Sequence, residues 1–191
     1  MSQKSSELIR EAVRLMQSGN KSSAISTLER AVECDRDDAD AWGILGSLLA
    51  EGGDTRGADC FKEYIRIRPE SPDGYQQLLY AYNKTHRVED ALKTARRFTE
   101  VQPQNANAWA MLAALCVETA DNENRNGGID RGIEYYEKAL EIDPNNQLAR
   151  KVLPSLYATR GKTTPAGSTS KPRTPAEQPA TQAKKPWWKI W

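Results

Sequence analysis

The chain has 191 residues, of which 38% are hydrophobic and 28% are charged, and its formal net charge is +1. This length suits one or two domains, and the modest apolar fraction suits an elongated body with a polar tail. Residues 161–191 carry six basic side chains and one acidic side chain, a net charge of +5, so residues 1–160 carry −4. Neither part is basic enough to predict duplex binding.

The N-terminus and the cysteines indicate the compartment. The polar, amphipathic segment at residues 1–13 lacks the apolar stretch of a secretory signal, and no run approaches the roughly 18 apolar residues of a spanning helix. Cys34, Cys60 and Cys116 lie far apart and are odd in number, which disfavours a zinc site or a disulfide framework. The sequence therefore predicts a cytoplasmic protein with reduced thiols, no metal and no cofactor.

A repeated motif organises most of the body. The segment Asp40-Ala-Trp42-x-x-Leu45-Gly46 recurs as Asp73-Gly-Tyr75-x-x-Leu78-Leu79 and as Asn107-Ala-Trp109-x-x-Leu112-Ala113. Pro69, Pro103 and Pro144 close these three copies, and the first two prolines are 34 residues apart. A weaker copy comes before them, with Leu8 standing 34 residues before Trp42 and no closing proline.

These spacings resemble the tetratricopeptide repeat, with its 34-residue period, early aromatic residue, small residues in mid-repeat and late proline. The resemblance implies an all-α fold, a right-handed α–α superhelix with a C-terminal capping helix and a disordered tail. It divides the chain into a weak repeat at 5–38, repeats at 39–71 and 72–105, a repeat with a loop insertion at 106–145, a capping helix at 146–160, a disordered linker at 161–186 and a Trp-rich motif at 187–191.

Within each unit the pattern predicts two amphipathic helices joined by a tight turn. Ser71-Pro72-Asp73 is predicted to start a helix, with Ser71 as its cap, and Asp40 and Asn107 are expected to act similarly. Gly19-Asn20, Gly52-Gly53 and Thr85-His86-Arg87 are predicted to form the turns within units. Trp42, Tyr75 and Trp109 are expected to be core residues rather than ligand contacts.

Two features depart from the regular repeat. Residues 121–128 hold most of the insertion in the fourth unit and are predicted to form a surface loop. In the capping helix, Leu148, Val152, Leu156 and Tyr157 define one apolar side, and Pro154 is expected to kink the helix or split it in two.

The resemblance also implies a protein-binding groove lined by the first helix of each unit. The residues expected there are Ile9, Val13, Met16, Gly43, Ser47, Ala50, Gln76, Gln77, Tyr80, Asn83, Lys84, Ala110, Ala114 and Val117. This set is mostly small and apolar, with a polar centre in the third unit. Ile9, Val13 and Ile44 stand near positions where a carboxylate clamp would require polar donors, so a peptide or helix with an apolar face is favoured.

The tail needs its own explanation. Residues 161–186 contain no aromatic or large aliphatic side chain and are expected to be disordered. Lys184, Lys185, Trp187, Trp188, Ile190 and Trp191 then form a basic, Trp-rich motif. Three uses remain open for this motif: a linear motif bound by another protein, an anchor on an anionic membrane, and a segment that folds back into the chain's own groove.

Catalytic chemistry is not indicated. The single histidine, His86, falls in a predicted turn, and no serine or cysteine can be paired with it as a nucleophile. The sequence has no P-loop and no dinucleotide-binding motif. The predicted function is a non-catalytic scaffold or adaptor that binds another protein. A peripheral membrane protein is the alternative, RNA-binding helical repeats and enzymes are less favoured, and the oligomeric state stays open.

Overall fold

The computed structural model of the protein describes residues 3–120 and 125–161, with only the backbone described at residues 125 and 126. The linker from residue 162, the Trp-rich motif at 187–191 and the first half of the predicted insertion lie outside the described residues.

The described residues form helices joined by short turns and contain no strand, which confirms the predicted all-α fold. The helices are α1 Gln3–Gln17, α2 Lys21–Cys34, α3 Ala39–Glu51, α4 Arg56–Ile67, α5 Pro72–Lys84, α6 Val88–Val101, α7 Ala106–Glu118, α8 Arg125–Ile142 and α9 Gln147–Arg160. The first eight helices follow one another as the pairs α1–α2, α3–α4, α5–α6 and α7–α8, and α9 follows as a single helix.

Short polar side chains cap two of the four first helices, but not the residues that were expected. Asp38 caps α3 and Asn105 caps α7, each two residues before the aspartate and asparagine that the motif suggested. Ser71 precedes Pro72 at the start of α5 but makes no capping hydrogen bond with its side chain. Its hydroxyl instead lies 3.3 Å from the hydroxyl of Tyr64, so Ser71 occupies the predicted cap position but the expected capping hydrogen bond is not formed.

The turns within units depend on left-handed backbone. Gly19 and Gly53 have φ values of +79° and +73°, which glycine adopts without a steric penalty. His86 has a φ of +57°, and its backbone N–H donates to the carbonyl of Asn83. The single histidine therefore helps to end α5, in agreement with its predicted place in a turn.

Two departures from the sequence expectations lie in the last third of the body. Helix α8 begins at Arg125, so the second half of the predicted loop at 121–128 is helical and the insertion lengthens α8 to 18 residues. Helix α9 runs through Pro154 from Gln147 to Arg160, so the proline does not split it. Burial of Leu153, Leu156 and Tyr157 stabilises the helix on both sides of the proline.

The chain forms two compact units, residues 1–103 and residues 104–191. In the first unit, α1 to α4 share a core that includes Leu8, Leu28, Leu45 and Leu49. In the second unit, α7, α8 and α9 share a core around Ile133, Tyr136 and Leu153. Each unit therefore has its own apolar interior.

The aromatic residues of the three repeat motifs, Trp42, Tyr75 and Trp109, differ in how far they are buried. Tyr75 is 4% exposed and stacks on Phe98 of α6, with ring centroids 4.9 Å apart. Trp42 and Trp109 are partly buried and pack against the cores of the first and second units, so all three contribute to a core but only Tyr75 is fully buried. The indole N–H of Trp42 donates to the carbonyl of Arg36 at 2.9 Å, which favours a position near the surface.

Candidate functional site

Within residues 1–103, the first helix of each repeat is α1, α3 or α5. Each of these helices packs one face into the core and leaves another face accessible to solvent. On α1, Leu8 and Ala12 are buried, whereas Ile9 is partly buried and Val13 and Met16 are exposed. We call the following partly or fully exposed positions of α1, α3 and α5 the first-helix surface: Ile9, Val13, Met16, Gly43, Ser47, Gln76, Gln77, Tyr80, Asn83 and Lys84. All of these residues belong to the groove predicted from the sequence.

An apolar stripe runs along α1. Ile9, Val13 and Met16 are spaced by four and three residues, so their side chains share one side of the helix. Ile9 packs against the core of the first unit, while Val13 is 37% exposed and Met16 is 36% exposed. These two are the exposed large hydrophobic side chains of the described residues. We call these three residues the α1 stripe.

Small residues on α3 make room for an aromatic ring from α4. A Cβ atom at Gly43 would lie 3.2 Å from Cδ2 of Tyr64, and a Cβ atom at Gly74 on α5 would lie 2.8 Å from Cδ1 of the same ring. Tyr64 therefore fills the space between α3 and α5 at their N-terminal ends. The hydroxyl of Ser47 donates to the carbonyl of Gly43 at 2.9 Å, so it is engaged within its own helix.

Polar groups surround Tyr64. The guanidinium carbon of Arg68 lies 5.7 Å from the centre of the Tyr64 ring, and the guanidinium pairs with Asp40 at 3.0 Å. Hydrogen bonding to Tyr64 and the charge of Asp40 raise the pKa of Arg68, which holds this group in its charged form. Because Arg68 and Asp40 are both about half exposed, this pair gives the surface a charged border but little stability.

Helix α5 supplies the polar part of the surface. The ammonium group of Lys84 lies 5.4 Å from the centre of the Tyr80 ring. Gln76, Tyr80 and Asn83 are partly buried, and Gln77 is exposed. The first-helix surface therefore changes from apolar on α1 to amide, aromatic and cationic on α5.

Four of the predicted groove residues face the interior of their own unit. Ala50 is 1% exposed, and a Cβ atom at Gly57 of α4 would lie 3.1 Å from its methyl group. Ala110 and Ala114 are 1% and 7% exposed in the core of the second unit. Val117 packs against Gly132 of α8. These side chains pack between the helices, and the three alanines are too buried to contact a ligand from the surface.

A polar recess lies in the second unit where α9 begins. Its volume is about 460 Å³, and it is lined by Asn107, Asp143, Asn145, Asn146, Gln147, Leu148 and Lys151. The amide of Asn146 donates to the side-chain oxygen of Asn107 at 2.9 Å, while its own oxygen accepts from the backbone N–H of Ala149. The recess is therefore held open by a bridge between α7 and the start of α9.

Sequence reasoning missed the residues of this recess, although a signal was available. Lys151 follows Pro144 by seven residues, as Gln76 follows Pro69 and Ala110 follows Pro103. The closing proline thus assigns Lys151 to the same repeat position as two predicted groove residues. Treating α9 only as a cap hid this correspondence.

Other classes of site find little support in the described parts of the chain. Within residues 3–120 and 127–161, no group of three or more His, Cys, Asp or Glu side chains is placed to hold a metal ion. None of the helices there is both long and apolar enough to cross a membrane. Cys60 is buried, and burial raises the pKa of its thiol to about 12, which makes it a poor nucleophile.

Comparison with protein families gives three adjoining or overlapping matches, all described as tetratricopeptide repeat. They cover residues 9–72, 72–115 and 106–146. Together they include nearly all of the helical body.

Curated relatives share this region at low identity. Cellulose synthase 1 operon protein C of Komagataeibacter xylinus is 26% identical over 157 residues, which is 79% of this chain and 12% of the relative. Hsp70-Hsp90 organizing protein 2 of Arabidopsis thaliana is 28% identical over 110 residues, 55% of this chain and 18% of the relative. The chain thus spans a small part of the curated relatives that it matches.

Solved structures show the same fold. A crystal structure of MamA protein has a TM-score of 0.66 at 18% identity, covering 84% of this chain and 85% of its own. A tetratricopeptide repeat protein from Parabacteroides merdae has a TM-score of 0.68 at 16% identity, covering 84% and 61%. YrrB, a repeat protein described as having an unusual peptide-binding site, has a TM-score of 0.58 at 19% identity, covering 81% and 76%.

Proposed function

Because the chain belongs to the tetratricopeptide-repeat family, we propose that it is a non-catalytic scaffold or adaptor for another protein. The first-helix surface binds a peptide or helix segment, and the Trp-rich motif at 187–191 is a second contact. The relatives named as an organizing protein and as a repeat protein with a peptide-binding site support this class of function.

The α1 stripe is the observation that carries the proposal. Soluble surfaces expose single apolar residues often, but a stripe of three at helical spacing beside a polar surface is typical of a protein-binding site. A bound segment would place apolar side chains against Val13 and Met16 and hydrogen-bonding groups against Gln76 and Asn83. Anchors of this kind supply most of the free energy of such interfaces.

The α1 stripe does not favour a peptide whose C-terminal carboxylate would lie against it. Ile9 and Val13 offer no hydrogen-bond donor from their side chains, and burying a carboxylate beside them would cost several kcal/mol. An amphipathic segment with two or three adjacent apolar residues fits the described chemistry better. The partner class is therefore defined by apolar anchors rather than by a terminal charge.

A displayed random-peptide library, selected on the full chain, tests this function. Selected peptides are synthesised with a fluorescent label, and their dissociation constants are measured by polarisation. The Val13→Ser and Met16→Ser double variant should weaken binding by tenfold or more, since each lost apolar contact is worth roughly 1 kcal/mol or more.

Lys93→Ser is the matched control. Lys93 is exposed on α6, which is the second helix of its repeat and not part of the first-helix surface. Its substitution should therefore leave the affinity for the peptides unchanged. If the two variants weaken binding equally, or if the peptides bind both as they bind the wild type, the first-helix surface is not the binding site.

The peripheral membrane protein remains the second candidate, because Lys184, Lys185 and Lys189 alternate with three tryptophans near the end of the sequence. Flotation with anionic vesicles at low salt tests it. Binding that disappears in high salt and in a Trp187→Ser, Trp188→Ser, Trp191→Ser variant would support an anchor, since both charge and aromatic burial contribute. Absence of the protein from the floating fraction at low salt would remove this candidate.

A further inference from the structure

We infer that the Trp187–Trp191 segment of the same chain docks on the α1 stripe and covers it until a protein partner displaces it. This inference rests on the proposed function, because it concerns regulation of the first-helix surface. It assigns one occupant to a surface that the described residues leave open.

The α1 stripe suits an aromatic occupant. Val13 and Met16 are the exposed large hydrophobic side chains of residues 3–120 and 127–161, and they are adjacent on one side of α1. A methionine thioether next to an aromatic ring gains about 0.3–1.5 kcal/mol beyond burial of area. The chain itself carries Trp187, Trp188 and Trp191 outside the described body, within five residues of one another.

Charge complementarity points in the same direction. Residues 162–191 carry a net charge of +5, with Lys184, Lys185 and Lys189 around the tryptophans, whereas the remainder carries −4. Near the stripe, Lys21 follows the turn after α1 and pairs with Glu51 at 3.3 Å. The carboxylate of Glu51 is 57% exposed. The opposite net charges of the two parts of the chain therefore favour contact of the basic segment with the acidic body.

The connection is long enough for the segment to reach the stripe. Twenty-five residues separate Gly161 from Trp187, and a chain of this length spans up to about 85 Å when extended. A compact unit of about 100 residues has a radius of gyration near 13 Å. The extended length of the connection therefore exceeds the dimensions of a single compact unit.

Tethering makes even a weak contact effective. A tethered segment reaches an effective concentration on the order of 1 mM. If the free segment bound with a dissociation constant of about 0.1 mM, the tethered one would occupy the stripe about ten times as often as it leaves it open. A competing partner would then appear about tenfold weaker than it does on the uncovered surface.

Methionine methyl resonances offer a direct test in the full chain. The chain has three methionines, of which Met16 lies on the stripe and Met111 is 5% exposed in the second unit. With ¹³C-methyl methionine, we expect the Met16 signal of the wild type to be displaced by tryptophan ring currents. The Trp187→Ser, Trp188→Ser, Trp191→Ser variant should return it to the position of an exposed methionine, while Met111 stays unchanged.

Two matched variants control this comparison. Thr174→Ser, Gln178→Ser and Gln182→Ser change as many residues before the motif but keep the tryptophans, so Met16 should remain displaced. On α1, Val13→Ser should release the segment, whereas Glu11→Ser, an exposed position of the same helix, should not. Identical Met16 signals in the wild type and in the tryptophan variant would overturn the inference.

Dilution and peptide binding separate the remaining outcomes. A Met16 displacement that is lost on dilution would mean that a second copy supplies the segment, which overturns docking within one chain. Peptides selected on the full chain should bind the tryptophan variant about tenfold more tightly than the wild type. Equal affinity for both would overturn the inference and leave the proposed function standing, whereas no peptide binding by either would contradict the proposed function itself.

Discussion

Two side chains that are equally buried, Tyr136 and Asp38, stabilise the fold in different ways. Tyr136 is 1% exposed in the core of the second unit, where burial is the single cause that raises the pKa of its phenol. Asp38 is also 1% exposed, but its carboxylate accepts from the hydroxyl of Ser5 at 2.7 Å and from the backbone N–H of Ala41 at 3.2 Å. The first residue provides apolar volume, and the second joins two helices.

The phenol of Tyr136 makes stability sensitive to alkaline pH. Below about pH 10 the phenol is protonated in both states, so its contribution is fully present. Above that pH the unfolded chain releases the proton while the folded chain resists, and the contribution is lost at up to about 1.4 kcal/mol per pH unit. Urea unfolding between about pH 9 and 11 should show a shallower decline for Tyr136→Phe. Parallel curves for the two proteins would contradict this assignment.

The buried carboxylate of Asp38 connects α1 to α3. Asp38→Ala removes a helix cap and the buried hydrogen bond between the Asp38 carboxylate and the Ser5 hydroxyl, so we expect a loss of roughly 1–3 kcal/mol in the free energy of unfolding. A double-mutant cycle with Ser5→Ala should give a coupling of at least about 0.5 kcal/mol, because the two groups are in contact. Asp37→Ala, which removes a 77% exposed carboxylate paired with Arg66, should cost far less. A zero coupling energy would show that the bond does not contribute.

At the scale of helices, the close approach within a pair depends on small residues that face each other. A Cβ atom at Gly57 would lie 2.9 Å from the backbone nitrogen of Ala50 and 3.0 Å from the carbonyl oxygen of Gly46. Both of these atoms belong to the backbone of α3, so neither can rotate away. The distance between α3 and α4 is thus set by the absence of a side chain at Gly57.

Substitution at this crossing should force the two helices apart. Gly57→Ala is expected to lower the free energy of unfolding by roughly 1–3 kcal/mol through overpacking, despite a gain of about 1 kcal/mol in helix propensity. Gly52→Ala is the matched control, because Gly52 has a right-handed φ of −77° and its nearest contact would be 3.4 Å away. Chemical denaturation of the two variants measures the difference. A neutral Gly57→Ala would show that α3 and α4 can adjust.

The same helices show what the sequence could and could not predict. The recurring aromatic, the small residues and the closing prolines predicted the helix pairs, because a fixed period and helical spacing constrain local structure directly. The burial of Ala50, Ala110 and Ala114 was not predictable from the sequence. A small alanine side chain is equally suited to the wall of a groove and to the contact between two crossing helices. The helical start of α8 was missed because glycine and asparagine favour turns locally, and packing against α7 overrides that preference.

At the scale of the whole molecule, the residues up to Gly161 and the residues after it differ in net charge. The acidic body and the basic remainder differ by nine charges, although the chain is nearly neutral as a whole. Attraction between the two parts is screened within about 8–10 Å at physiological salt. The proposed docking of the Trp-rich segment should therefore depend on apolar contact for its affinity and on charge mainly for its rate of association.

The repeat architecture also predicts which helices are destabilised by a local substitution. Each helix pair contacts mainly its neighbours, and each of the two compact units has a core built from its own helices. In hydrogen exchange measured by mass spectrometry under native conditions, Gly57→Ala should accelerate exchange in α3 and α4, by about tenfold for each 1.4 kcal/mol lost. Exchange in α7, α8 and α9 should stay close to that of the wild type, because these three helices share a core of their own around Tyr136. Equal acceleration in all of these helices would instead show that the body opens as one cooperative unit, and the independence of the two cores would have to be abandoned.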